Sequence, residues 1–319
     1  MTTDDGLRAQ TPSGVGPPAR LDLPLFVYGL LKPGELAYRH VVGAVESVDA
    51  HVRDHHLVVR DGLPLLVPAP GSGPVRGALL RSLGPADMYA NVGDFEPRKH
   101  YRWAEVSILP DEDVGAAISA NTLLGRSPAK GTERLAHDEW SSRLDPALSD
   151  GLRVVSEMLA SSLESPIRAM DPQSPELWNR FFRLSATYLL LWSIIERATA
   201  LMLGPGLEPT QRVKRLDALP EFRAAAQAAG VRPSRKVFDS RDPSDSFAIK
   251  DDWSGAAQYW YAVRSNLSHR GKAAFRDGEL LQTCAIDARN TLILFLGGAR
   301  PELKAAWGRA GDLIQRSEL

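Results

Sequence analysis

Cysteine is almost missing from this sequence: Cys284 is the single thiol among 319 residues. That excludes an internal disulfide and a thiolate cluster for zinc, and it fits a reducing cytoplasm. The opening Met1-Thr-Thr-Asp-Asp-Gly6 has neither the basic start nor the apolar stretch of a signal peptide. Long apolar runs are also scarce. Tyr188-Leu-Leu-Leu-Trp-Ser-Ile-Ile195 is short and is followed at once by Glu196 and Arg197, so no membrane span is expected. Charge of one sign is lacking too, because the formal net charge is −1. Such a balance gives no field to hold a long nucleic-acid footprint. Residues 151–319 hold 23 Lys plus Arg against 19 Asp plus Glu, a tilt too small to change that. The basic clusters Gln211-Arg-Val-Lys-Arg215 and Arg232-Pro-Ser-Arg-Lys236 either track a phosphate backbone or simply face water. The expectation is a soluble cytoplasmic chain without metal or cofactor, long enough for two cores.

What is present divides into two patterns. Residues 1–20, rich in Thr, Pro, Gly and Ser, read as a flexible tail. From Leu21 short apolar or alternating runs begin: Leu23-Pro-Leu-Phe-Val-Tyr28, Val52 to Arg60, Val75 to Arg81, Tyr101 to Ile108 and Gly115 to Ala120. Gly, Pro and Asp punctuate them, and Ser82 to Val92 reads as a short helix between two strands. The spacing predicts a small mixed sheet or barrel.

The order of motifs over residues 21–125 resembles the γ-glutamylcyclotransferase-like (AIG2-like) family. The resemblance rests on Phe26-Val-Tyr-Gly-Leu-Leu-Lys-Pro-Gly34, on Val75-Arg-Gly-Ala-Leu79, on Asp94-Phe-Glu96 and on Tyr101-Arg102. It implies that Glu96 is the general acid/base that frees a substrate α-amine to attack its own γ-carbonyl, releasing 5-oxoproline. It further implies that Tyr28, Gly29, Leu30 and Leu31 line the pocket of a γ-glutamyl-like ligand. Two positions depart from the family pattern: Leu30 stands where Ser or Thr is usual, and Pro97 follows the Glu where Gly is usual.

Arg126-Ser-Pro-Ala-Lys-Gly-Thr-Glu-Arg134 reads as a linker, and Asp145 to Leu159 as a connecting helix. Beyond it the period changes. Leu177, Phe181, Leu184, Tyr188, Leu191, Ile195, Ala198 and Met202 recur at steps of three and four, predicting one long helix from Ser174-Pro175 to Gly204. Trp178, Phe182, Leu189 and Trp192 widen its apolar face. Further helices are predicted over Pro209 to Ala229, Trp253 to His269 and Glu279 to Leu296.

Near the end stands Tyr259-Trp-Tyr-Ala-Val-Arg264-Ser-Asn-Leu-Ser-His269-Arg-Gly-Lys272. Arg is a permanent cation able to clamp a phosphate, and His transfers protons near neutrality, so the pair covers the minimum chemistry of metal-free RNA cleavage. The setting, residues 150–319, resembles the HEPN families, closest to the Apea-like group. That resemblance implies an endoribonuclease that dimerises through its helices. Arg264 would hold the scissile phosphate, His269 would move the proton and Asn266 would hydrogen-bond nearby. It also suggests a toxin or antiviral effector acting on RNA. Five residues along a helix turn the side chain by about 140°, so Arg264 and His269 do not share a face. Gly271 is the expected helix stop that lets His269 swing, and Tyr259, Trp260 and Tyr261 either stack bases or fill an interface.

The fold class expected is therefore α+β, a small mixed β-sheet or barrel domain followed by an all-α bundle. The boundaries are a tail at 1–20, a cyclotransferase-like domain at 21–125, a linker with connecting helix at 126–150 and a HEPN-like domain at 151–319. Two other readings stand beside the ribonuclease. One is a γ-glutamyl cyclotransferase with a helical dimerisation domain, and the other a non-catalytic RNA-binding or scaffolding dimer.

Overall fold

The computed structural model describes residues 14–43, 45–111, 116–163, 167, 170–171, 173–233, 236–238, 242, 244–270 and 274–314, without the side chains of residues 269, 270 and 274–276. Its contacts form two compact units, Met1–Asp145 with Ala200–Leu207, and Pro146–Thr199 with Glu208–Leu319. The architecture is α+β: a β-sheet unit, then a helical region.

The first unit is built on β1 (Leu25–Val27), β2 (Val45–Val52), β3 (His55–Arg60), β4 (Leu63–Pro68), β5 (Val75–Ser82), β6 (Tyr101–Pro110), β7 (Ile118–Gly125) and β8 (Glu133–Arg134). Strand order is β1-β5-β2-β6-β7-β4-β3-β8, and β1 also pairs in parallel with β7 at Leu25↔Asn121. Five strands, β1-β5-β2-β6-β7, thereby close on themselves, and the remainder extends from β7. Closure explains why Leu25, Phe26 and Val27 are all buried: a strand with neighbours on both edges and cover on both faces is a continuous apolar run. Gly77 makes the β1–β5 contact possible, since a Cβ there would lie 2.2 Å from the Val27 carbonyl oxygen.

Helix α1 (Pro85–Phe95) starts with Pro in its first turn, where the missing N–H costs nothing. Met88, Tyr89, Val92 and Phe95 form its buried stripe, and the Tyr89 hydroxyl donates to the Leu23 carbonyl at 2.7 Å. A stretch read as tail lies against this helix. Val15 N–H donates to the Glu96 carbonyl at 2.9 Å, Gly16 N–H to the Gly93 carbonyl at 3.3 Å, and the Trp103 indole to the Gly16 carbonyl at 2.6 Å. The approach is backbone on backbone: a Cβ on Gly93 would sit 2.4 Å from the Gly16 carbonyl oxygen. Gly93→Ala therefore displaces this strap. We expect a loss of about 1–3 kcal/mol in urea denaturation, accompanied by a changed Trp103 emission as its indole loses the Gly16 acceptor.

The second unit contains α2 (Leu152–Ser162), α3 (Pro175–Leu203), α4 (Pro209–Ala218), α5 (Pro220–Ala228), β9 (Val237–Phe238), β10 (Ser246–Phe247), α6 (Ala256–Arg270), α7 (Ala274–Ala299) and α8 (Pro301–Trp307). The last turn of α3 falls in the first unit. Ser174 caps α3, its hydroxyl accepting the Glu176 N–H at 3.1 Å, and Gly204 follows at φ +102°. By length and composition α3 could cross a membrane, but 61% of its most apolar window is buried inside the protein. Packing thus accounts for the stripe from Leu177 to Met202, whereas Trp178 and Phe182 beside it are 42% and 62% exposed, and the apolar stretch is longer than residues 188–195 indicated.

Several expectations change. The helix expected over residues 209–229 is two helices, because Pro220 cannot donate within a helix and disfavours helical backbone at Leu219, which is extended at ψ 122°. The strand expected from Val52 to Arg60 is two, broken by a turn in which Asp54 takes φ +59°. The connecting helix begins as a 3-10 turn at Ser142–Leu144, passes through a π-turn at Ala147–Gly151 and becomes regular at α2.

Candidate functional site

β1 delivers Tyr28 to a tight loop. The N–H of Lys32 donates to the Gly29 carbonyl at 3.0 Å, that of Glu35 to Lys32 at 3.0 Å and that of Ala37 to Leu30 at 3.2 Å. Gly34 takes φ +76°, which glycine adopts without strain. Gly29 has a different reason to lack a side chain: a Cβ would meet Pro64 Cγ of β4 at 2.6 Å. Within this loop the N–H groups of Leu30 and Leu31 have no acceptor among the described residues. Two backbone donors are therefore left for a ligand.

Loop, barrel mouth and the end of α1 line a narrow, partly open pocket with a cavity of about 30 Å³, bordered by Tyr28, Gly29, Leu30, Leu31, Glu96 and Tyr101 among others. Tyr28 donates to the Leu123 carbonyl of β7 at 2.6 Å, and Tyr101 to the Pro64 carbonyl of β4 at 3.0 Å. The two phenols tie together the strands that form the rim. Burial, and secondarily the nearby Glu96 charge, holds both hydroxyls protonated.

Glu96 caps α1 in extended backbone at ψ 120°, its own N–H donating to the Val92 carbonyl. The side chain is 7% exposed, and no group among the described residues donates to its carboxylate. Burial pushes this carboxyl up to about 8, so near neutrality it exchanges a proton readily. Pro97 has no N–H to offer it. The Pro97 carbonyl instead accepts from His100 at 2.9 Å and Tyr101 at 3.1 Å, a turn that aims the Tyr101 ring.

These features coincide with a family match. Residues 25–142 match the family model described as gamma-glutamyl cyclotransferase, AIG2-like. This stretch is an AIG2-like domain. No curated protein matches the chain. The AIG2-like domain extends past the expected limit of residue 125 to include β8 and the segment after it. In that segment Glu139 reaches the loop, where Lys32 Nζ donates to its carboxylate at 2.5 Å. Ser142 N–H also donates to Glu35 Oε2 at 3.2 Å. Sequence reading missed this second layer behind the pocket loop. Lys32 is 8% exposed and therefore needs a partner, but that burial shows only in the structure.

The residues expected on α6 are placed differently from one another. Arg264 is part-exposed, its guanidinium 4.0 Å from Glu196 Oε1, which also accepts the Trp192 indole N–H at 2.9 Å. Asn266 is buried and donates to the Phe238 carbonyl at 2.8 Å. It lies about 200° around the helix from Arg264, so the two are not brought together. His269 is on the last turn of α6, which runs through Arg270. The His269 side chain, and Gly271 as a helix stop, lie outside the described residues. Tyr259 and Trp260 are core residues, 4% and 1% exposed, and the Trp260 carbonyl accepts the Tyr188 hydroxyl at 2.8 Å. They are not available to stack bases. Tyr261 rests against the Trp192 ring with centroids 5.5 Å apart. Among the described residues no group of three or more His, Cys, Asp or Glu side chains is placed to hold a metal.

Proposed function

We propose that the AIG2-like domain performs γ-glutamyl cyclotransfer at Glu96. The observation that carries this is a buried carboxyl without a protein donor, raised to about 8, in a pocket that offers free backbone N–H groups. Glu96 as carboxylate takes a proton from the substrate α-ammonium. The freed nitrogen attacks the γ-carbonyl carbon, forming the C–N bond of a five-membered lactam. The bond to the departing amine then breaks, and Glu96 returns its proton to that nitrogen. Two protons leave the α-nitrogen and two arrive on the departing one, so Glu96 ends as it began. The Leu30 and Leu31 N–H groups hold the anionic end of the substrate. Release of 5-oxoproline from a γ-glutamyl amino acid by the purified chain, retained in Arg264→Ala and lost in Glu96→Gln, is the expected result. Its absence in wild type refutes the assignment.

A second reading concerns the helical unit, as a HEPN-type endoribonuclease acting as a homodimer on RNA. It is favoured by the part-exposed guanidinium of Arg264 on the same helix as His269. Because about 140° separates the two positions on an unbroken helix, a second copy has to complete the site. His269→Ala should slow cleavage of total RNA by about 100-fold and leave 5-oxoproline release untouched. Equal cleavage by the variant removes this reading.

A further inference from the structure

We propose that the helical unit binds a free α-amino acid with an apolar side chain, in a pocket bounded by α3, α6, α7 and β9. The cavity there is about 240 Å³, room for a molecule of amino-acid size. Phe181 from α3 and Leu280 and Leu281 from α7 form apolar walls, and Phe238 of β9, itself 56% exposed, borders a third side. That side is fixed rather than loose. The buried Asn266 amide donates to the Phe238 carbonyl at 2.8 Å, and Phe238 is paired with Ser246 of β10.

Two charged groups complete the lining, Lys236 and Asp277. Among the described residues neither makes an ion pair or hydrogen bond, with the other or with any third group. An ammonium and a carboxylate at the edge of an apolar hollow define what can enter. A simple anion would satisfy Lys236 but be repelled by Asp277, and a simple cation would meet the reverse. A neutral apolar molecule would dry the space beside both charges without compensating either. An α-amino acid supplies a carboxylate for Lys236 and an ammonium for Asp277. Its side chain then lies against Phe181, Leu280 and Leu281, where a polar one would lose water without gaining a partner. This site does not depend on the chemistry proposed for Glu96 or for Arg264.

Calorimetric titration of the full chain with L-leucine and with L-phenylalanine tests the proposal. Saturable one-site binding of at least one of them is expected. Lys236→Ala and Asp277→Asn should each weaken it at least tenfold, and so should replacing the ligand by its N-acetyl derivative or its amide. The blocked ligands probe the two charges on unaltered protein, so the result does not depend on how the variants fold. Absence of saturable heat with both amino acids overturns the proposal, as does unchanged affinity in either variant or for either blocked ligand.

Discussion

Replacing Glu96 by Gln should lower 5-oxoproline release about 10³-fold or more, in line with loss of a single group that serves as both base and acid. The amide preserves shape, so the pocket should still form. The same variant carries a second signature, in stability against pH. The folded-state value of about 8 lies above the ordinary 4.5, so the native protein holds a proton that the unfolded chain has released between those limits. Stability from the neutral buried acid is therefore complete below about 4.5 and is lost as pH rises through about 8. The difference corresponds to roughly 5 kcal/mol at most. Glu96→Gln removes that dependence: its urea midpoint should match wild type at pH 5 and exceed it at pH 9. Activity should move the opposite way, wild-type turnover rising with pH towards about 8 as the carboxylate form fills. Parallel midpoints at both pH values would show that Glu96 ionises in water, and the proton-transfer role would fall with it.

The AIG2-like half was legible because its signals are local. A Tyr-Gly-x-Leu loop after an apolar strand, and a Glu after an aromatic residue, each mark a position where backbone and side chain must do one thing. What escaped depended on contacts distant in sequence. β4, Leu63-Pro-Leu-Leu-Val-Pro68, was hidden by its prolines, which cannot donate to a ladder. It is nevertheless a strand: it pairs with β3 along its length and with β7 only at Leu66↔Leu124. β2 was hidden by its exposed polar residues Glu46, Ser47 and Asp49, two of them adjacent, which read as loop until β5 and β6 supply both its edges. The Lys32–Glu139 tie joins residues 107 apart, and no local pattern announces it. In the helical unit, periodicity found the long helix but missed the break at Pro220 between α4 and α5. The aromatic run at 259–261 looked like a surface because its residues are polar-edged, whereas the Tyr188 hydroxyl bond to Trp260 and the bulk of the rings place Tyr259 and Trp260 inside.

The other large effect is expected at Arg289, which sequence periodicity put on an apolar helix without marking it. It is 1% exposed, yet its guanidinium is held by neutral acceptors: Ser156 Oγ at 3.1 Å, Asn290 Oδ1 at 2.7 Å, the Asp312 carbonyl at 2.7 Å and the Ala310 carbonyl. Burial lowers this group to about 10, so it remains a cation at neutral pH. Asn290 extends the clasp, donating to the Ile314 carbonyl at 2.9 Å and accepting its N–H at 3.1 Å. Together the two side chains fasten residues 310–314 onto α2 and α7. Arg289→Ala removes the donor from four acceptors, of which Asn290 Oδ1 keeps the Ile314 N–H and the Ala310 carbonyl keeps the Ser156 hydroxyl, and it opens a cavity the size of the lost side chain. We expect a cost of about 3–5 kcal/mol in chemical denaturation. Lys should recover little of it, since a point charge on a flexible stem cannot serve four acceptors set around a planar fork. The discriminating readout is proteolysis of the C-terminal segment. If the clasp is what orders residues 310–314, Arg289→Ala is cleaved there under conditions in which wild type and an Arg309→Ala control stay whole. Equal resistance in all three would mean that other ties suffice, the Ser156 hydroxyl donating to the Ala310 carbonyl at 3.1 Å and the Trp307 indole to the Leu148 carbonyl at 2.8 Å.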